Sequence, residues 1–369
     1  MHLDQISLTH FRNYGRQDIT FNPGLNVLAG PNGQGKTNLL EAIHYGCLAH
    51  SQRTRKDKEL IQWNCPAFVI RLLGRLDGME HAQSVEYAET GAKRVKVNGR
   101  ESRRLADLIG NFSVVSFSPE DLDLIRGGAS VRRRFLDVLL CQSHPEYLYA
   151  LSQYNKTLKQ RNALLRENSS GRFPADLLEA FDAPLAEHGA SITLHRLRVL
   201  EELSALASAA YLAIAGAGEA LGLALSGCVS GETEEPLLRA AFLRRLASTR
   251  AAEHSAGMTL VGPHREDLLL FLAEKPLREY GSQGQKRSAA LSLKLASARF
   301  LEAKNQRPPI LLLDDVFAEL DEARRMRIGE LIRGKGQVFV ANPRRADLPF
   351  EAENVITLEK GTVLRAEPA

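Results

Sequence analysis

Eight consecutive residues, Gly30-Pro31-Asn32-Gly33-Gln34-Gly35-Lys36-Thr37, fit the pattern GxxxxGK[ST]. Glycines let a backbone curl until successive amide N–H groups converge, and a helix starting there adds partial positive charge, so the chemistry is phosphate binding. Lys36 is placed to reach the outer phosphates and the Thr37 hydroxyl to meet Mg²⁺, with Asn38 next on the same turn. A second group closes the apolar run Ile310-Leu311-Leu312-Leu313-Asp314-Asp315. A buried strand ending in two carboxylates delivers Asp314 to the metal and leaves Asp315 to face the attacking water. Strands often end in Asp, so this pair gains its meaning only beside the phosphate loop. A third group is Tyr280-Gly281-Ser282-Gln283-Gly284-Gln285-Lys286-Arg287-Ser288. Taken alone, Ser282, Gly284 and Gln285 read as a helix cap, or as a second helix end able to hold an anion.

The elements that position these groups are legible in outline. LDQISLTHF, DITF and LNVLA read as short strands, and Gly35 to Gly46 carries Leu39, Ala42, Ile43 and Gly46 at helical spacing, so strand, Gly-rich turn and helix follow one another. VKVNGRE predicts a hairpin at Asn98-Gly99. Ser118-Pro119-Glu120-Asp121 marks a helix start, and from there to about Ala256 the Leu, Ala, Glu and Arg content predicts helices broken near 169–171 and 231–236. After Met258 strands return: LLLFL, the ILLL run, QVFVA, NVITLE and TVLRA, with helices over about 285–303 and 322–333. The expected architecture is α/β: a discontinuous head, residues 1–117 and 258–369, with an inserted helical lobe, residues 118–257. No internal repeat is evident.

Composition narrows the class. The chain has 369 residues, 44% hydrophobic and 25% charged, which excludes a disordered or low-complexity protein. Four widely separated cysteines without a CxxC pair predict free thiols in a reducing compartment. The start MHLDQISLTH lacks a secretory apolar run, and Leu203 to Gly218, the most apolar helical stretch, is too short for a bilayer. A cytoplasmic location without a membrane partner is expected. The net charge is +4, and the excess lies in residues 1–110 and 261–369, while residues 111–260 are slightly acidic. The terminal regions are therefore the better candidates for a polyanion surface. Candidate DNA contacts are Arg53, Arg55, Lys56 and Lys58, then Arg100, Arg103 and Arg104, then Arg132 to Arg134, against the alternative of solvated faces or protein contacts. His264 and Arg265 in VGPHRED read as a turn and receive no chemistry.

The three groups in this order, with a long insertion between them, resemble ABC-type ATPases of the SMC class. Ser282 and Gly284 would then belong to the signature motif that completes a partner subunit's ATP site, and Ala318-Glu319-Leu320-Asp321 would be the D-loop at that interface. FRNY (Phe11 to Tyr14), HSQRTRKDKELI (His50 to Ile61), FSPEDLDLIRGGASVRRRFLD (Phe117 to Asp137), VGPHRED (Val261 to Asp267) and GSQGQKR together resemble the RecF family of recombination-mediator ATPases over nearly the whole chain. That resemblance implies ATP and Mg²⁺ as cofactors and an ATP-dependent homodimer. It further implies sequence-independent binding to gapped duplex DNA at double-to-single-strand junctions, in a pathway with RecR, RecO and RecA. The family position after the metal-binding Asp is usually Glu, whereas this chain has Asp315, one methylene shorter, so weak hydrolysis is expected. Ser118-Pro119-Glu120 replaces the water-sensing Gln of many ABC ATPases, and Asn342-Pro343 follows QVFVA in place of a switch His. The energising subunit of a membrane transporter shares the three motifs, although the long insertion and the FRNY start count against it. A small-molecule kinase would leave the signature motif unexplained.

Overall fold

The computed structural model describes the chain except Arg103, 168–174, 217–218, Ser230, 318–319, Lys335, 343–347, 349–353 and Ala369. Part of the D-loop stretch, Pro343 and the 169–171 break thus lie outside the described residues. The chain divides into two compact units, Met1–Asp121 with Ala210–Ala217 and Leu291–Ala369, and Leu122–Ala209 with Gly218–Ala290.

The first unit contains two six-stranded sheets. One is antiparallel, in the order Tyr14–Thr20, His2–Phe11, Ala67–Leu76, Met79–Ala88, Lys93–Val97 and Arg100–Ser102. Its last hairpin turns where Asn98-Gly99 requires, both residues having positive φ (49° and 78°), the twist that a two-residue turn between right-handed strands needs. The other sheet runs Thr362–Pro368, Asn354–Glu359, Leu25–Ala29, Val338–Ala341, Ile310–Asp314 and Val114–Phe117. All its pairings are parallel except that of the two C-terminal strands. Leu25–Ala29, Val338–Ala341, Ile310–Asp314 and Val114–Phe117 are almost wholly buried, which is why they read as unbroken apolar runs. The helix Lys36–Leu48 is buried along nearly its whole length. Its Tyr45 meets Phe68 of the antiparallel sheet edge-on, at a ring separation of 5.3 Å, and Phe68 meets Phe11 at 5.2 Å.

The second unit is mainly helical: Ala129–Ser143, Pro145–Glu167, most of Ala175–Ala215, and Glu235–Ala256, which starts with Pro in its first turn. Helical texture misled at one place. Leu221–Ser226 is a strand, because it pairs antiparallel with Asp267–Leu272 over six residues, a long-range partnership that local propensity does not encode. Ser118-Pro119 opens a 3₁₀ turn, Pro119–Leu122, before a single α-turn, and the long helix starts only at Ala129. Two buried arginines tie the unit together. Arg161 donates to Asp182 (3.0 Å), Glu253 (2.7 Å) and Thr259 (2.9 Å). Arg196 donates to Glu266 (2.7 Å), Asp137 (2.7 Å) and the Pro263 carbonyl (2.8 Å). Among the described residues no helix is long and apolar enough to cross a membrane.

Candidate nucleotide site

The register of the parallel sheet builds the site. Asp314 is level with Ala341, and Ala341 with Leu28, so the carboxylate ends its strand beside the point where Leu25–Ala29 gives way to the Gly-rich turn. That turn needs its glycines. A Cβ on Gly30 (φ 140°) would lie 2.5 Å from the Leu358 carbonyl oxygen, and one on Gly35 (φ 114°) would lie 2.9 Å from both the Asn13 amide nitrogen and the Tyr14 hydroxyl. Gly35 caps the helix Lys36–Leu48 without any side-chain hydrogen bond, and the first turn carries no acidic residue. The positive helix end is left for an external anion.

The side chains converge on the same point. The Lys36 ammonium donates to the Gly30 carbonyl (2.7 Å) and the Pro31 carbonyl (2.9 Å), folded over the loop it serves. Burial pushes its pKa down, against the attraction of Asp315 and Asp314. The Thr37 hydroxyl donates to Asp314 Oδ1 at 2.9 Å. Burial pushes the Asp314 carboxyl up to about 6; the Thr37 bond lowers it, while the charges of Asp315 and Glu120 raise it. Asp315 follows with φ 51° and its N–H bonded to the Ala341 carbonyl (3.1 Å). Its Oδ1 is buried with no hydrogen-bond partner, and burial raises its pKa too. A strained, part-buried carboxylate with an unused oxygen beside a hydroxyl and a second carboxylate suits a hydrated divalent cation with phosphate. Thr37 and Asp314 could hold that metal, and residues 30–38 the phosphates.

The sequence reading missed the groups that brace the loop. Asn13 donates to the Gln34 carbonyl (3.4 Å) and accepts from Asn38 (2.8 Å), and Tyr14 donates to the Gly35 carbonyl (2.9 Å). Gln34 Oε1 accepts from the Lys360 N–H (2.6 Å). Below them lies Glu41, fully buried, which takes two bonds from Arg12 (2.9 and 3.0 Å), one from Ser51 (2.5 Å) and one from Arg53 (3.5 Å). The readable signal was a Glu inside the apolar run LLEAI. Arg53 also reaches Asn38 (3.3 Å), so this candidate DNA contact sits at the nucleotide helix.

The other basic candidates divide sharply. Lys58 pairs with Glu89 (2.6 Å) and Lys56 loosely with Glu59 (4.0 Å), while Arg55 is exposed. Arg100 is exposed at the hairpin, and Arg103 lies outside the described residues. Arg132 is a correction: only 4% exposed, it grips Asp267 with two bonds (2.7 and 2.8 Å) and is unavailable to DNA. Arg133 donates to the Glu266 carbonyl (2.6 Å). In the second unit, Ser282 and Gln285 form a reciprocal cap, Ser282 N–H to Gln285 Oε1 (2.8 Å) and Gln285 N–H to Ser282 Oγ (3.2 Å), with Gly284 between them at the start of the helix Gln283–Asn305. Gln285 Nε2 donates onward to Glu219 (2.8 Å).

Residues 2–361 match the family described as RecF/RecN/SMC N terminal domain. The DNA replication and repair protein RecF of Halalkalibacterium halodurans is 39% identical over 370 residues, covering 100% of this chain and 98% of that protein. The chain belongs to the RecF family. The RecF of Halothermothrix orenii is 40% identical over 344 residues, 92% of each chain. A solved structure of the recombination mediator protein RecF-ATPrS in the RecFOR pathway superposes with a TM-score of 0.91 at 37% identity, covering 98% of this chain and 97% of that one. An SMC head bound to the C-winged helix domain of ScpA superposes at 0.58 with 16% identity, a likeness of fold alone. The fold is that of an ABC-type ATPase head, and RecF membership favours the DNA-repair reading over the transporter one.

Proposed function

We propose that this protein is an ATP-controlled DNA-binding ATPase of recombinational repair. The observation that carries the reading is the joining of the phosphate loop to the end of the Ile310–Asp314 strand by the Thr37–Asp314 hydrogen bond, beside the unused Asp315 oxygen. Gly30, Pro31, Asn32, Gly33, Gln34 and Gly35 wrap the ATP phosphates with backbone N–H groups. Lys36 exchanges its two loop carbonyls for phosphate oxygens, and Thr37 and Asp314 hold Mg²⁺, with Asn38 keeping the loop on Asn13. Bound there, Mg²⁺ neutralises charge on the outer phosphates. Asp315 orients water for hydrolysis; its short side chain and left-handed backbone make turnover weak.

Ser282, Gly284 and Gln285 form the end that seats on the nucleotide of a second copy, so ATP draws two heads together. The pair binds duplex DNA next to a single-stranded gap without sequence preference, in the cytoplasm, and acts with RecR and RecO to load RecA. Support comes from the relatives, whose names state DNA replication and repair and the RecFOR pathway. The test is fluorescence anisotropy of a labelled gapped duplex with and without Mg·ATP, for wild type, Lys36→Met and Ser282→Arg. ATP-dependent binding lost in both variants supports the reading. Binding indifferent to ATP overturns it.

A further inference from the structure

Trp63, the only tryptophan in the chain, is 92% exposed. An indole contributes its large apolar area to stability only when covered, so this one serves nothing in the folded chain. Its backbone is nevertheless held firmly. Trp63 and Asn64 are the central residues of a tight turn closed by the Cys65 N–H on the Gln62 carbonyl (3.1 Å), with Asn64 at φ 65°. The Gln62 N–H is bonded to the His10 carbonyl (2.8 Å) and Ile61 bridges to Phe11. The Arg12 N–H is bonded to the Leu60 carbonyl (2.7 Å), and Arg12 itself grips Glu41 of the nucleotide helix. The indole thus stands on a pre-ordered support wired to the phosphate-binding helix.

Its surroundings discriminate between occupants. The centre of a protein interface clusters buried apolar side chains, but the residues flanking Trp63 in the turn are Gln62 and Asn64. Cations stand nearby instead. Lys56 caps the 3₁₀ helix Asp57–Leu60 that leads into the turn, a rise of roughly 8 Å over its four residues. Arg55, next to it, is exposed and makes no ion pair or hydrogen bond among the described residues. A flat π-face with an unpaired arginine and a loosely paired lysine in the same segment matches a base with its neighbouring phosphates.

We propose that the Trp63 turn is a stacking platform for one unpaired base at the edge of a single-stranded gap, with Arg55 and Lys56 on the adjoining phosphates. This rests on the DNA-binding reading above and adds the contact by which an unpaired strand is told from a paired one. Because Trp63 is the sole tryptophan, its fluorescence reports the contact directly. With ATP present, unlabelled gapped duplex quenches the emission, whereas a fully paired duplex and ATP alone leave it unchanged; anisotropy of labelled copies reads binding in parallel. Trp63→Ala weakens gapped-duplex binding by roughly fivefold or more. Trp63→Phe retains most of it, and paired-duplex affinity is the same for all three proteins. Gapped DNA bound by anisotropy without any change in emission, or bound equally well by Trp63→Ala, overturns the platform and leaves the DNA reading intact. Quenching by ATP alone places the indole against a second copy and also overturns it. If neither DNA binds with ATP, the DNA reading falls and the platform with it.

Discussion

Thr37 donates its hydroxyl to Asp314 Oδ1 across 2.9 Å, joining residues 277 positions apart in the sequence. Burial raises the Asp314 carboxyl to about 6, and this bond, with the charge of Arg53 after it, works to lower it. A cation does the same job more strongly. Asp314→Asn should therefore keep the fold and the metal-free affinity for ATP while losing the gain in affinity that Mg²⁺ supplies, roughly tenfold or more. Calorimetric titration of ATP with and without Mg²⁺ measures both quantities. A full Mg²⁺ gain in Asp314→Asn would place the metal elsewhere.

Asp315 is expected to act on turnover and not on binding. Asn tolerates the left-handed φ of 51° as readily as Asp, so Asp315→Asn removes the charge without adding backbone strain. ATP affinity should stay within about threefold and the single-turnover hydrolysis rate should fall by roughly a hundredfold. An unchanged rate would mean that another group orients the water.

What the sequence disclosed here follows a physical divide. The phosphate loop was legible because its glycines answer local steric demands, and the Ile310–Asp314 strand because both its faces are buried. The brace around Glu41 was not, because Arg12 reaches it from the first strand's end and Ser51 and Arg53 from the loop beyond the helix. Leu221–Ser226 was read as helix for the same reason: its pairing with Asp267–Leu272 is decided at a distance. Arg132 stands in a basic run that looks solvated, and only the position of Asp267 shows that it is buried.

Glu41 carries the loop's underside. Glu41→Ala would leave Arg12 without its two-bond partner and Ser51 without its acceptor, a loss of about 3 kcal/mol for a buried pair broken on one side. Glu41→Gln, which keeps the volume and one acceptor, should lose less. The urea midpoint of unfolding, recorded for both variants, checks the order. Equal midpoints for Glu41→Ala and wild type would show that the brace adds nothing to stability.

Ser282 has a structural task that must be separated from the proposed one. Its hydroxyl caps the helix Gln283–Asn305 through the Gln285 N–H, so Ser282→Ala should cost about 1 kcal/mol, whereas Ser282→Asn can still cap. If the hydroxyl also meets a partner's nucleotide, both variants lose ATP-dependent association in sedimentation runs, although only the alanine is destabilised. Normal association of Ser282→Asn would reduce Ser282 to a cap.

His264 gives the second unit an acid sensitivity of known sign. Its Nε2 faces the Thr259 carbonyl (3.0 Å), which can only accept, so Nε2 carries the proton and Nδ1 accepts from the Tyr154 hydroxyl (2.6 Å). The ring is satisfied while neutral. Burial, helped by Arg265, Arg133 and Arg161, lowers its pKa to about 4, below the roughly 6.5 of an unfolded chain. Above 6.5 both states are neutral and the full stability is present. As pH falls from 6.5 towards 4 the unfolded chain takes up the proton first, and up to about 3 kcal/mol is lost. Glu266, whose pKa burial raises, works in the opposite sense in acid, so the difference between wild type and His264→Gln is the quantity to measure. Urea midpoints taken from pH 7 to 4 should fall more steeply for wild type than for His264→Gln, with the curves converging at the acid end. Parallel curves would mean that folding does not lower the ring's pKa and that its burial against Tyr154 does not hold it neutral.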